Sequence, residues 1–244
     1  MTRTFDALLE ALTDRDTERW SSMFVPDSVL VDHTTGQPDV LAAEWLAVTM
    51  AAAPCTTFSL EWAIADGRRG AAWLWFHLPD PDDAGIHYDT PSLLVVRLDP
   101  EEQADLVELF GPLGTWHETV EDWFGAVEGR LMRPNTALRP YRPSHPVPPD
   151  PPPDRAILEA VADALVTENW LDLVAWGARW HDYAGHPIER WADGVRTERL
   201  RVVEGARAVV LFDDDQSAAI VVHVDETGRV TFLDHLCDWS SVTA

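Results

Sequence analysis

The chain has 244 residues, enough for two domains of ordinary size, and its hydrophobic fraction of 46% is that of a globular protein. With 18 basic against 42 acidic side chains, a formal net charge of −24, it repels phosphate backbones and anionic lipid, which excludes nucleic acid and membrane surfaces as expected partners. Every basic residue is Arg, so chemistry that needs an internal Lys is excluded, and Cys55 and Cys237, without CxxC spacing, argue against a disulfide framework and a thiolate zinc site.

In chain order, Phe5, Leu8, Leu9 and Leu12 recur at helical spacing, and a second short helix is expected over 16–24 with Trp20 inward. Pro26-Asp27 breaks it, and Val29 to Val31 read as a strand ending at Asp32-His33. A Gly36-Gln37-Pro38 turn leads to a helix through Leu41, Trp45 and Val48. Strands are expected at 56–65, 70–78, 86–98 and 104–110. Thr115 to Glu118 resembles a capping box opening a helix with Trp116, Val120, Trp123, Val127 and Leu131 on one face. Residues 134–153 carry nine prolines and are expected to form an extended spacer. Beyond it, Ile157, Val161 and Leu165 mark a helix, and Leu171 to Trp176 a second. A short strand at 180–183, a helix at 186–195 and strands at 198–204, 206–212, 218–224 and 229–237 complete the chain. The N-terminus is amphipathic and acidic without a signal-peptide core, and no apolar run approaches the roughly 20 residues of a bilayer span, so a cytoplasmic location is expected.

The chain says the same thing twice. VLVDHTTGQPDVLAAEW (29–45) is echoed by WHDYAGHPIERW (180–191), ADGRRGAAWLWF (65–76) by VEGARAVVLF (203–212), and LVVRLD (94–99) by IVVHVD (220–225). These landmarks keep their order on either side of the Pro-rich stretch, which implies two copies of one domain. The expected boundaries are 1–114 and 154–244, with a helix and linker over 115–153. Each copy reads as α+β, a curved antiparallel sheet wrapped around helices into a cone.

The segments MFVPDSVLVDHTTGQP (23–38) and HVDETGRVTFLDHLCDW (223–239) resemble the nuclear transport factor 2-like superfamily, which includes SnoaL-like polyketide cyclases, ketosteroid isomerases and epoxide hydrolases. In layout the tandem chain is most similar to fused polyether epoxide hydrolases. The resemblance places Asp32 at the general-base position of the isomerases, and Asp32 with Glu61 at the carboxyl pair of the epoxide hydrolases. Two carboxyls sharing a cavity titrate as a coupled pair, one protonated donor and one ionised acceptor. The isomerase oxyanion Tyr would fall near Leu8, and its protonated Asp, like the cyclase base, at Leu94; neither is kept.

The alternatives are structural. Asp32 can simply cap a turn, and Glu61 can face solvent, with Leu60 and Trp62 turned the other way. Candidate substrate-binding residues are Trp20, His33, Trp45, Trp73, Trp75, His77, Tyr88 and Asp89, with the tryptophans otherwise ordinary core. The second copy keeps Asp182, with Tyr183 and Glu198 nearby; counting back from Gly205 as from Gly67, its counterpart of Glu61 is Arg199. His181, His223 and His235 are further candidates there. Without HxH or HExxH spacing no metal is expected, and no cofactor. The expectation is therefore a cofactor-free acid/base enzyme on a small apolar, polyketide-like substrate, by epoxide-opening cyclisation or hydrolysis or a related cyclase or dehydratase reaction. Its rival is a non-catalytic ligand-binding or scaffold protein. Pairing of the two domains within one chain is expected, and a homodimer stays open.

Overall fold

The computed structural model describes residues 3–33, 40–79, 87–111, 145–167, 170–182, 197–213 and 217–237. The apolar stripe of the first segment forms α1 (Arg3–Asp14), which buries Phe5, Leu8, Leu9 and Leu12. Asp16 caps α2 (Thr17–Ser21) by accepting from the Arg19 amide at 3.0 Å, and Trp20 is buried with its indole N–H on the Ala42 carbonyl at 2.7 Å.

β1 (Phe24–Asp32) starts before the expected break. Pro26 and Asp27 are absorbed in an irregularity of pairing between Phe24 and Val29, with Asp27 at φ 67. β2 (Val40–Leu41), α3 (Ala42–Ala52), β3 (Thr57–Asp66), β4 (Arg69–Pro79), β5 (His87–Leu98) and β6 (Ala104–Phe110) follow. Their sheet has the order β2-β1-β6-β5-β4-β3, antiparallel except where β1 lies parallel to β6. Gly70 lets the sheet close on α1, since a Cβ there would stand 2.5 Å from the Phe5 ring.

The second domain repeats the plan in a shorter form. α4 (Arg155–Val166) is capped by Asp154, and β7 (Val174–Asp182), β8 (Glu198–Glu204), β9 (Arg207–Asp213), β10 (Ser217–Val224) and β11 (Val230–Cys237) form a sheet of order β7-β11-β10-β9-β8. β7 runs parallel to β11 as β1 does to β6. The helix expected over Leu171 to Trp176 is corrected. A 3-10 turn covers Trp170–Leu173, and the chain is already strand at Val174. The β-favouring Val174, Trp176 and Trp180 outweigh the apparent helical spacing, and the strand is longer than the expected four residues. The expected helices at 115–131 and 186–195, and Tyr183, lie outside the described residues.

Strand alternation gives each sheet two different faces. One face of the first sheet packs on α1 to α3 through Phe58, Ala72, Leu74, Phe76, Leu94, Val96 and Val107. The corresponding face of the second packs on α4 through Val203, Val210, Phe212, Ile220 and Val222. The other two faces meet each other in a third core, where Trp62, Trp73, Trp75 and Phe110 lie against Leu200, Val209, Leu211, Val221 and Leu236. Each large side chain withdrawn from water there is worth roughly 1.5–3 kcal/mol, so this seam is a core in its own right.

Candidate functional site

The two carboxyls expected to work together are not brought together. Asp32 pairs with Leu109, a member of the first core, and so stands on the concave, helix-facing side of the sheet. Glu61 is the extra residue where the β3–β4 register shifts between Leu60 and Trp62. It faces the seam, with one oxygen accepting from Trp75 Nε1 at 2.7 Å. The sheet itself separates the two acids. Glu61 does not point into the cone; its carboxylate lies on the seam side with part of it open to solvent, because the bulge lets Leu60 and Trp62 follow different faces.

The other expected residues divide between the same two faces. Trp20 and Trp45 are on the concave side, their ring centroids 5.7 Å apart, and Trp45 continues to Phe58 and Phe76 at 6.4 and 6.2 Å. Trp73, Trp75 and His33 belong to the seam side. His77 and Asp89 do converge, with Nδ1 to carboxylate at 2.7 Å, and the ring's Nε2 meets the Ser59 hydroxyl at 2.7 Å. This hydroxyl–imidazole–carboxylate chain is also on the seam side, because Ser59 pairs with Trp75. The Tyr88 and Asp182 backbones pair with Leu78 and His235, and their side chains lie outside what is described. Glu198 is held by Arg201, which also reaches Glu159 and Asp163 on α4 at 3.0 and 2.8 Å, so it is part of an ion-pair network.

The densest polar chemistry is in the seam. On one side Glu108 of β6, fully buried, receives both terminal nitrogens of Arg199 from β8 and His33 Nε2 at 3.2 Å. Burial works to raise the Glu108 carboxyl, but the hydrogen bonds and charges of His33 and Arg199 hold it below the usual range. Strand positions identify the matching groups in the other copy. Val31 pairs with Glu108 as His181 pairs with Asp234, so Asp234 is the counterpart of Glu108. Arg199 sits in the β8–β9 register shift as Glu61 sits in that of β3–β4. Where one side of the seam sets Glu108 against Arg199, the other sets Asp234 against Glu61, two acids.

His145, from the Pro-rich connector, stands between those acids. Its Nδ1 donates to Glu61 Oε1 at 2.6 Å and its Nε2 to Asp234 Oδ2 at 2.9 Å, while its side chain is 2% exposed. Each ring nitrogen faces a carboxyl oxygen, an arrangement that favours the doubly protonated imidazolium as a bridge between the two acids. Burial lowers its proton affinity, but bonds and charges from Asp234 and Glu61 prevail and raise its pKa above the ordinary value. Glu61 answers in the opposite sense. Burial raises it, and His145 with Trp75 brings it below the usual range. Asp234 is also 3.3 Å from His181 Nδ1.

His145, His223 and Asp234 bring candidate ligand atoms within 4.8 Å of one another, the residue types of a metal centre. Their bonding does not fit one. His223 Nδ1 accepts from Arg207 Nε at 3.1 Å, so the neutral ring carries its proton on Nε2 and offers a cation no lone pair. His223 is kept neutral by burial and by the charges of Arg207 and His145, which hold it well below the ordinary imidazole value. His145 spends both nitrogens on carboxylates.

Sequence reasoning missed Glu108, His145 and Asp234. Arg199 was visible as the counterpart of Glu61, and that exchange of an acid for a base was the available signal. His145 lies in a segment without periodicity and gave none.

No protein-family model matches this chain, and no curated protein does. Among solved structures, the chain is similar to a hypothetical protein of ketosteroid isomerase-like fold from Catenulispora acidiphila in complex with trimethylamine. That likeness has 16% identity and a TM-score of 0.38, and covers 45% of this chain and 85% of that one. A candidate SnoaL-like polyketide cyclase from Shewanella denitrificans matches at 18% identity and TM-score 0.40, over 49% and 95% of the two chains. TerC, co-crystallised with polyporic acid, matches at 17% and 0.41, over 49% and 99%. Each is about half the length of this chain. No helix among the described residues is long and apolar enough to cross a membrane.

Proposed function

We propose that the chain is a cofactor-free acid/base enzyme acting on a small apolar, polyketide-like molecule on the concave side of the first domain, with Asp32 as the general base. One observation carries this reading. The concave face carries an aromatic cluster (Trp45, Phe58, Phe76), Asp32 at a strand end and the buried Thr90 hydroxyl, which has no hydrogen-bond partner among the described residues. An apolar wall with a few convergent polar groups is the usual make-up of a small-molecule site. A carboxylate beside apolar walls can take a proton from an acidic C–H or hydroxyl and return it, which suffices for a cyclisation or dehydration.

Epoxide opening by Asp32 with Glu61 has no support from this arrangement, because those acids occupy opposite faces of one sheet. The role left to Glu61 is to hold the seam. The second reading, a non-catalytic scaffold, is favoured by the mutual packing of Trp20, Trp45, Phe58 and Phe76, which fills much of the described cone interior. Turnover of a panel of polyketide-like ketones and epoxides separates the two. The enzyme reading expects activity that Asp32→Asn lowers by roughly two to four orders of magnitude and that Glu61→Gln leaves at the chemical step. Inactivity of the wild type on every member while the same compounds bind supports the scaffold.

A further inference from the structure

Ser59, His77 and Asp89 stand on neighbouring strands, β3, β4 and β5, at one end of the first sheet. His77 pairs with Asp89 on one side and with Thr57 on the other, which puts Ser59 on the diagonal from His77 and on the same face. The side chains use that placement. His77 Nε2 meets the Ser59 hydroxyl at 2.7 Å, and its Nδ1 meets an Asp89 carboxyl oxygen at 2.7 Å. An ionised carboxylate only accepts, so Asp89 favours the tautomer with the hydrogen on Nδ1. The Nε2 lone pair is then left to receive the Ser59 O–H.

Nucleophile, base and orienting acid in this order recur on unrelated folds and are recognised by geometry, not by sequence position. The surroundings suit chemistry. The third core stops at Trp75, and beyond it Ser59 is half-buried while the His77 and Asp89 side chains are 18% and 31% exposed, so a small molecule can reach the hydroxyl. Trp75 pairs with both Ser59 and Pro91, and both apolar neighbours are buried. No described strand pairs with the outer edge of β3. Alternate N–H groups of such an edge point away from the sheet, and these are donors for a developing oxyanion along the strand that carries Ser59.

We propose that Ser59 is the nucleophile of a second, hydrolytic site that cleaves small uncharged carboxylic esters, with His77 as general base and acid and Asp89 as a positioning residue. Ser59 Oγ bonds to the acyl carbon while its proton passes to His77 Nε2. The bond from that carbon to the alkoxy oxygen breaks, and the alcohol leaves with the proton from Nε2. Water then gives a proton to Nε2 and its oxygen to the acyl carbon. The acyl–Oγ bond breaks, the acid leaves and the proton returns to Ser59. Ester and water become acid and alcohol, with no other reactant. Asp89 and Glu61 on this face, in a chain of formal net charge −24, oppose anionic esters. The apolar contact offered by Trp75 and Pro91 is small, which suits a short acyl chain. This face lies across the sheet from Asp32, and the proposal does not rest on the activity assigned there.

The test uses the full chain, a fluorophosphonate probe and p-nitrophenyl acetate. The probe should attach to the wild type, peptide mass spectrometry should place it on Ser59, and labelled protein should no longer turn over the ester. Labelling and turnover should fall at least about a hundredfold in His77→Gln, with folding checked by circular dichroism. Asp89→Asn removes an anion beside His77, so the rise of the labelling rate with pH should move to lower pH, which a loosened strand end would not produce. Labelling of the wild type does not require any variant to fold. No label on Ser59 in the wild type, label on other residues only, or an unchanged rate in folded His77→Gln overturns the proposal.

Discussion

Removing the imidazole that bridges Glu61 and Asp234 tests the seam most directly. His145→Ala leaves Asp234, fully buried, facing Glu61 across the gap, with His181 as its remaining partner. Breaking a buried ion pair by deleting one member costs about 3–5 kcal/mol. Glu61 is 24% exposed and can recruit water, so the lower half of that range applies, about 3–4 kcal/mol. For a chain of this size that is a fall in Tm of roughly 6–16 °C. Equilibrium urea unfolding, followed by tryptophan fluorescence and far-UV circular dichroism, measures it. The mechanism also demands coupling. In His145→Ala with Glu61→Gln, one of the two facing charges is already gone, so the double variant should be more stable than the sum of the single costs by roughly 1–2 kcal/mol. A loss below about 1 kcal/mol for His145→Ala, or additivity within about 0.5 kcal/mol, would refute the bridge.

Three further outcomes are expected. Arg199→Met should destabilise by about 3–5 kcal/mol because Glu108 keeps only His33, whereas Arg199→Met with Glu108→Leu should recover most of the loss; equal costs in urea would contradict the pairing. The seam should also give stability a maximum near the ordinary imidazole value of 6.5. His145 has a raised folded pKa, so its contribution is complete below 6.5 and is lost as pH rises through the raised value. His223 has a depressed one, so stability falls as pH drops below 6.5, where only the unfolded chain takes up that proton. Glu61 and Glu108, depressed below the carboxylate value of 4.5, steepen the same acid limb at lower pH. Urea midpoints from pH 5 to 9 check this, and an alkaline limb unaltered in His145→Gln counts against it. Finally, Gly228→Ala should cost at least about 2 kcal/mol, because the residue has φ 80 and its added Cβ would stand 2.2 Å from Ile157 Cγ2; a neutral Tm would show that the β10–β11 turn relaxes freely.

Much of the architecture was legible because it follows local periodicity. Alternation in ADGRRGAAWLWF and IVVHVD gives strands β4 and β10, and the α1 stripe gives its helix. The exceptions have local causes. At Pro26-Asp27 the strand continues through an irregular pairing that sequence reads as a break. At Val174 to Trp176 a strand carries apolar residues at spacings a short helix would share. The sheet faces were harder to read. A strand pattern fixes that residues 60 and 62 share a side only while pairing stays regular, and the β3 shift at Glu61 breaks that rule where the candidate acid sits.

The two copies differ most informatively at this bulge. With Arg at the bulge of β8, the buried acid of the opposing sheet is neutralised directly by Arg199. With Glu at the bulge of β3, the opposing Asp234 faces an acid in place of a base, and the cation that neutralised the pair on the other side is missing. A charge from elsewhere in the chain takes that place, and the Pro-rich connector supplies it through His145. The connector is therefore a structural participant, fixed to both sheets through one imidazolium. A Glu at position 61 thus has a consequence independent of catalysis. It makes the union of the two domains depend on a titratable group, whereas the Arg199 side stays paired at any pH at which Glu108 is ionised.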